Sequence, residues 1–362
     1  MRKIFIQKST LAFLFIIFSM DIKAQDIQFS MFYSVPLYIN PAFAGSRHAN
    51  RAMMHYRWQW NNQPGRYYTG LLSFDTYSTK YKSGIGAMVI RDYQGGNQVI
   101  STHFSAMYAY EVRLNSNHTM RFGLQGGFIN KELNASDVPS DYTNDGRTGF
   151  GSSIIRGIIV PDISAGILYY AKRLYASLSM HHLNRPNESI INQYAPLPTK
   201  LTITAGYKIP LVLNPVETGL HTGNPTMMAL TPTFTYKKQM GSDVEYVKGG
   251  GSGDQLDIGI YYTYKWLISG LWYRGLPLVK QYQNFPNNES VVFLVGASYL
   301  GFGFGYAYDL TISSQQIKTG GAHEINLSYV FRTKHTKKPI HSLPCPDFEY
   351  EILQRGSAGR VK

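Results

Sequence analysis

His181 and His182 stand side by side, and paired imidazoles are a common beginning of a metal site. They fall in a stretch, 173–183, that alternates like a strand. Neighbours in a strand point to opposite faces, so the two are not expected to share an ion. Gly249-Gly250-Gly251-Ser252-Gly253-Asp254 has the glycines of a phosphate cradle but lacks the Gly-Lys-Ser/Thr that completes one, and reads as a flexible connection. Ser, His and Asp are all present, but there is no Gly-x-Ser-x-Gly elbow to present a nucleophile. The chain is therefore expected not to be an enzyme and to carry no cofactor and no metal. Cys345 is the only cysteine, which rules out an internal disulfide. The net charge of +13 invites a nucleic-acid partner. A membrane location assigns it instead to anionic lipid headgroups and solvated loops, with no nucleic acid implied.

That location is read from the start of the chain. Arg2, Lys3 and Lys8 precede an apolar run from Leu11 to Met20, and Ala24 offers a small residue before Gln25. This is the pattern of a secretory signal over 1–24, too short to span a bilayer comfortably. Past it, no stretch reaches 18 consecutive apolar residues, so no transmembrane helix is expected. The composition is aromatic, rich in glycine and low in charge, with 28 Tyr, 19 Phe, 34 Gly and 16% charged residues. A closed barrel can still cross a membrane with such a chain, because it satisfies every backbone group without helices.

The periodicity points the same way. From residue 99 to 114, Ile100, Thr102, Phe104, Ala106, Tyr108, Tyr110, Val112 and Leu114 alternate with Ser101, His103, Ser105, Met107, Ala109, Glu111 and Arg113. The same period of two runs through 118–130, 201–209, 256–263 and 301–308. These runs exceed the usual sandwich strand and suit a tilted membrane strand. About fourteen strands are predicted, near 51–61, 66–77, 82–93, 97–114, 118–131, 160–171, 173–183, 200–209, 226–238, 254–265, 266–275, 290–300, 301–312 and 322–333. The fold class is thus all-β, an antiparallel outer-membrane β-barrel over 51–333. A short periplasmic tail, 334–362, follows it. With both termini in the periplasm, the outer connections are long (132–159, 184–199, 276–289) and the inner ones short, as such barrels require. The long inner connection at 210–225 has no account from pattern alone.

One segment, 25–50, fits neither strand nor helix. Pro36 and Pro41 fix φ and remove donors, yet the segment is rich in Phe, Tyr, Leu and Ile and must pack against something. Either a plug in the lumen or a rigid lead-in to the first strand accounts for it.

Gln28-Phe29-Ser30, followed by Pro36-Leu37-Tyr38-Ile39-Asn40-Pro41-Ala42-Phe43-Ala44-Gly45, resembles the N-terminal signature of the PorP/SprF family of outer-membrane proteins. Tyr306-Ala307-Tyr308-Asp309-Leu310 and Gly320-Gly321-Ala322-His323-Glu324 are similar to the closing strands of the same family. The resemblance implies a place in the type IX secretion and gliding machinery of Bacteroidota. It also implies a partner: a large secreted adhesin with a C-terminal sorting domain, whose export or surface anchoring the barrel supports. The motif residues Gln28, Phe29, Pro36, Asn40, Pro41, Phe43, Gly45, His323 and Glu324 are the expected plug or partner contacts. A diffusion channel or a lipid or solute transporter is the alternative.

Overall fold

The computed structural model describes residues 26–62, 65–95, 99–133, 156–190, 194–211, 228–240, 254–282, 285–312 and 319–331. The expected leader (1–24), the tail (334–362, with Cys345), Gly249 to Gly253 and most of 210–225 lie outside them. The strands are β1 (Asn50–Gln59), β2 (Tyr67–Ser78), β3 (Ser83–Gln94), β4 (Val99–Arg113), β5 (Thr119–Leu133), β6 (Arg156–Tyr170), β7 (Leu174–His181) and β8 (Lys200–Tyr207). They continue as β9 (Ile209–Leu211), β10 (Met228–Gln239), β11 (Gln255–Tyr264), β12 (Leu267–Tyr282), β13 (Phe285–Tyr299), β14 (Phe302–Thr311) and β15 (Ala322–Phe331). β8 and β9 lie end to end against β10, broken at Lys208, and form one span. The 15 strands thus make fourteen spans of one antiparallel sheet. The sheet closes on itself: β15 pairs with β1 from Asn50↔Phe331 to Gln59↔Ala322, and β10 pairs with β11. Among the described residues no helix is long and apolar enough to cross a membrane.

Alternation sorts the side chains as expected, and in the sense of a membrane barrel. Phe104, Tyr108, Tyr110 and Phe122 are exposed on the outer face, where lipid covers them, while Ser101, Met107, Ala109, Glu111 and Arg121 are buried within. The predicted short connections are found at 79–82, 114–118, 171–173, 265–266 and 300–301. Leu300 and Gly301 both take positive φ (51° and 88°), the two-residue hairpin geometry that matches strand twist. These turns share one mouth of the barrel with the start of β1 and the end of β15, here called the near mouth.

Two expectations need correction at the other, far mouth. The stretch 276–289 is not a loop: β12 runs on to Tyr282 and β13 starts at Phe285. The connection at 132–159 is also shorter than expected, because β6 begins at Arg156. Beyond the lipid both sheet faces are wet, so strand no longer demands the apolar–polar alternation by which it was sought.

Leu124 projects 63% exposed from β5 toward lipid. Leu124→Arg is expected to cost about 2–4 kcal/mol if the site lies near the bilayer midplane. Urea unfolding of the barrel refolded into lipid vesicles measures this, and an unchanged midpoint contradicts a lipid-facing position.

Candidate functional site

The segment before β1 lies inside the barrel. Its fold follows from its prolines. Pro36 starts a single helical turn, Pro36–Ile39, and Pro41 starts a 3-10 turn, Pro41–Phe43, each at a position where a missing N–H costs nothing. Between them Asn40 is extended, at φ −159°, and its Oδ1 accepts from Ala42 N–H at 2.8 Å, capping the second turn. The same side chain fastens the segment to the wall: Nδ2 donates to the carbonyls of Ile167 on β6 and Leu178 on β7, both at 3.0 Å. Ile39 O accepts from Ser179 Oγ at 2.6 Å and from His181 Nε2 at 3.0 Å. Gly45, at φ 70°, turns the chain toward β1 and donates its N–H to Asp75 Oδ2 at 2.8 Å, a carboxylate that Arg51 holds from the side. Arg121 on β5 donates to the carbonyls of Ala42 and Ala44 and pairs with Glu111 on β4 at 2.5 Å.

Ser30 is the centre of an extended polar cluster. Its N–H and that of Met31 donate to the two oxygens of Glu324, at 2.6 and 2.9 Å. Its hydroxyl donates to Asp309 at 2.8 Å and accepts from Arg57 at 2.8 Å and Arg274 at 3.0 Å. Arg57 pairs with Glu324, Arg274 with Asp257 and Asp309, and Lys237 lies 3.5 Å from Asp257. Three cations thus face three buried carboxylates, with the more exposed Glu289 3.7 Å from Arg274 as a fourth, and the segment's backbone supplies donors to Glu324. Removing one partner from such a cluster leaves an uncompensated buried charge, at about 3–5 kcal/mol.

The segment's first described residue, Asp26, makes a further cluster. It pairs with Lys200 at the start of β8 and lies 3.3 Å from His182, whose Nδ1 is 2.8 Å from Asp162. Burial alone would lower the His182 imidazole, but hydrogen bonds to Asp162 and Asp26 and the charge of both carboxylates raise it to about 9. This corrects the strand reading of the histidine pair. β7 ends at His181, and His182 takes φ 58°, so both rings turn inward with centroids 6.2 Å apart. Among the described residues no three His, Cys, Asp or Glu side chains are arranged to hold a metal ion.

The remaining contacts are apolar. Phe29, Phe32, Val35 and Leu37 pack with Leu71, Ile90, Trp272 and Leu294 of the wall. Tyr33 meets Tyr261 edge-on at 5.6 Å, and Lys237 lies over the Phe32 ring at 4.5 Å. Gly84, Gly123 and Gly166 leave the space that the segment's backbone and Asn40 occupy, since a Cβ on any of them would collide with Ala44, Ala42 or Asn40. A cavity of about 50 Å³ beside Phe32, Phe43 and Tyr261 has room for a few waters.

Taken together, residues 26–50 reach every span of the ring. They also cross it from mouth to mouth. Gly45 sits by the β2–β3 turn and Asp26 by the β7–β8 connection, and successive antiparallel strands put those two at opposite ends.

Of the residues singled out in the sequence, Phe29, Pro36, Asn40, Pro41 and Gly45 are buried in this segment, with Gln28 and Phe43 half-buried. Glu324 meets the segment directly. His323, its neighbour, faces outward and stacks on Trp58 at 5.2 Å, with the Tyr306 hydroxyl 2.8 Å from its Nδ1. Arg57, Arg274, Asp309 and Asp257 meet here without having been expected to from the sequence. The available signal was a charge on the inward phase of a strand otherwise lined with small residues.

Residues 22–329 match the family described as type IX secretion system membrane protein PorP/SprF. No curated protein matches the chain. Among solved structures, the chain is similar to the Ralstonia pickettii toluene transporter TbuX, at 10% identity and a TM-score of 0.46, covering 83% of this chain and 93% of that one. The CymD monoaromatic hydrocarbon channel gives 9%, 0.45, 83% and 94%, and a Pseudomonas aeruginosa FadL homologue 12%, 0.40, 81% and 93%.

Two outcomes follow for the segment. Gly166→Val drives Asn40 off the β6–β7 wall, and protease cleavage within 26–45 of the purified barrel is expected to speed up at least about tenfold, a loss of about 1.4 kcal/mol in local stability. Cleavage at the unaltered rate contradicts the docking. The His182 contribution has a raised folded pKa, so it is complete below the ordinary imidazole value of about 6.5 and fades as pH rises through about 9. Protection of the segment is therefore expected to decline between about pH 6.5 and about 9 and to level off above. In His182→Gln the decline is expected to vanish, and a variant that still shows it removes His182 from the account.

Proposed function

Because this chain belongs to the PorP/SprF family of type IX secretion system membrane proteins, we propose that it supports export or surface anchoring of a large secreted protein, an adhesin with a C-terminal sorting domain. It is an outer-membrane β-barrel and a membrane secretion or transport component. The observation that carries the finer reading is the filled lumen. A segment that reaches every span, some through buried ion pairs and hydrogen bonds and the rest through apolar and ring contacts, suits a barrel that holds a partner at its rim better than one that conducts solute.

In this reading the near mouth, with the start of β1 and the end of β15, faces the periplasm. The far mouth, with the 182–199 connection and the β12–β13 hairpin, faces outward and receives the exported partner. Asp26 then lies toward the cell surface, so the mature N-terminus belongs at the outer mouth and not in the periplasm, where pattern alone would put it. The tail remains a candidate arm for the secretion and gliding machinery below.

Two measurements separate holding from conducting. In planar bilayers the intact barrel is expected to give no steady single-channel current, and a variant lacking 26–44 that still assembles is expected to open. A steady current from the intact chain would return the solute channel to first place. In cells, deleting the gene is expected to remove one large protein from the surface, detected by protease shaving and mass spectrometry. An unchanged surface proteome contradicts the anchoring role.

A further inference from the structure

Among the described residues, the far-mouth half of β6 has an open edge. β6 pairs with β5 along its whole length, from Arg156 to Tyr170, but with β7 only from Ala165 to Tyr170. Past that point the chain after β7 peels away, and Asn184 stands in for it. Leu183 N–H donates to Ile163 O at 2.9 Å, Asn184 Oδ1 accepts from Ile163 N–H at 3.1 Å, and Asn184 Nδ2 donates to Pro161 O at 2.7 Å.

These bonds fix which way the β6 backbone faces. Residues in the phase of Ile163 (Pro161, Ile159 and Gly157) direct their main-chain polar groups away from β5. Pro161 has no N–H to leave unpaired there. Ile159 and Gly157 do: two N–H and two C=O groups have no partner among the described residues. Both residues are exposed, Ile159 to 69%.

The described part of the connection after β7 folds inward and does not cover this edge. Leu197 packs with Ile129 and Val160 on the lumen side, and Glu188 pairs with Lys131 at 2.6 Å. Sheets usually protect an open edge with charge, a bulge or a covering element. Here the run Ile158-Ile159-Val160 has high strand propensity and exposes an apolar side chain outward. β5 and β6 have 15 residues each, against the 9–11 or so that a tilted strand needs to cross the lipid, so their far ends stand clear of it.

We propose that Gly157 and Ile159 form a strand-addition site, at which an extended apolar segment of the exported partner pairs with β6 through main-chain hydrogen bonds. The proposal rests on the reading of the barrel as a holder of a secreted protein. Up to four hydrogen bonds are available, and the outward Ile159 side chain favours an apolar residue opposite.

The test uses whole cells carrying the full chain. A photo-crosslinking residue at position 159 is compared with one at Leu124 on the lipid face. The expected result is an adduct at 159, and none at 124, containing a peptide of the large protein that disappears from the surface when the gene is deleted. Ile159→Pro removes the outward donor but no β5 hydrogen bond, and Pro161 already occupies the same phase. It is expected to lower the retained surface protein about tenfold or more, against less than about twofold for Ile159→Ala, tenfold being about 1.4 kcal/mol. Heat-modifiable mobility on gels checks that both variants assemble. An adduct between two copies of this chain, no adduct at 159, or full retention by assembled Ile159→Pro overturns the site alone. A gene deletion without effect on the surface overturns the holder reading and this site with it.

Discussion

Charges inside a water-poor lumen must find partners, and in this barrel they find them on the chain's own N-terminal segment. Glu324 is the clearest case. Arg57 meets one side of it, and the N–H groups of Ser30 and Met31 complete it at 2.6 and 2.9 Å. Asp75 is completed in the same way by Gly45, and the Arg121 guanidinium by the carbonyls of Ala42 and Ala44. Taking the segment out would give up all of these water-shielded bonds at once and leave the wall charges to water in an opened lumen, so the filled state is held by many bonds acting together.

The same constraint explains why the segment is broken by prolines. A helix satisfies its own backbone groups, and a regular strand can spend its groups only on another strand's edge, which a closed wall does not offer. Pro36 and Pro41 cut the segment into short turns separated by Asn40, which exposes N–H and C=O groups in several directions. The glycines at 84, 123 and 166 are the complement on the wall, placed where the segment comes closest.

The spans were legible because lipid imposes the alternation. Phe104, Tyr108 and Tyr110 face out, and Ser101 and Glu111 face in, so period two alone located β4. Where lipid ends, the signal ends, which hid the far part of the β12–β13 hairpin and the start of β6. The motif from Pro36 to Gly45 was visible as an oddity and as a family mark. Its path across the lumen was not, because contacts such as Ser30 with Glu324 join residues 294 positions apart. The inward turn of His182 was hidden for a local reason: one positive φ, 58°, overrides the strand pattern of its neighbours. Asn184 as a substitute rung on β6 depends on a side chain in a connection and leaves no periodic trace.

Residues 26–45 are built into the lumen as firmly as the strands around them. Hydrogen exchange of the full chain in lipid, resolved to the Ser30 and Met31 amides, tests this most directly. Exchange is expected to be as slow as that of the paired amides of β1 and β15, because both donors are spent on buried Glu324. Exchange of these two amides at the rate of an open chain, with the strands still protected, would contradict it.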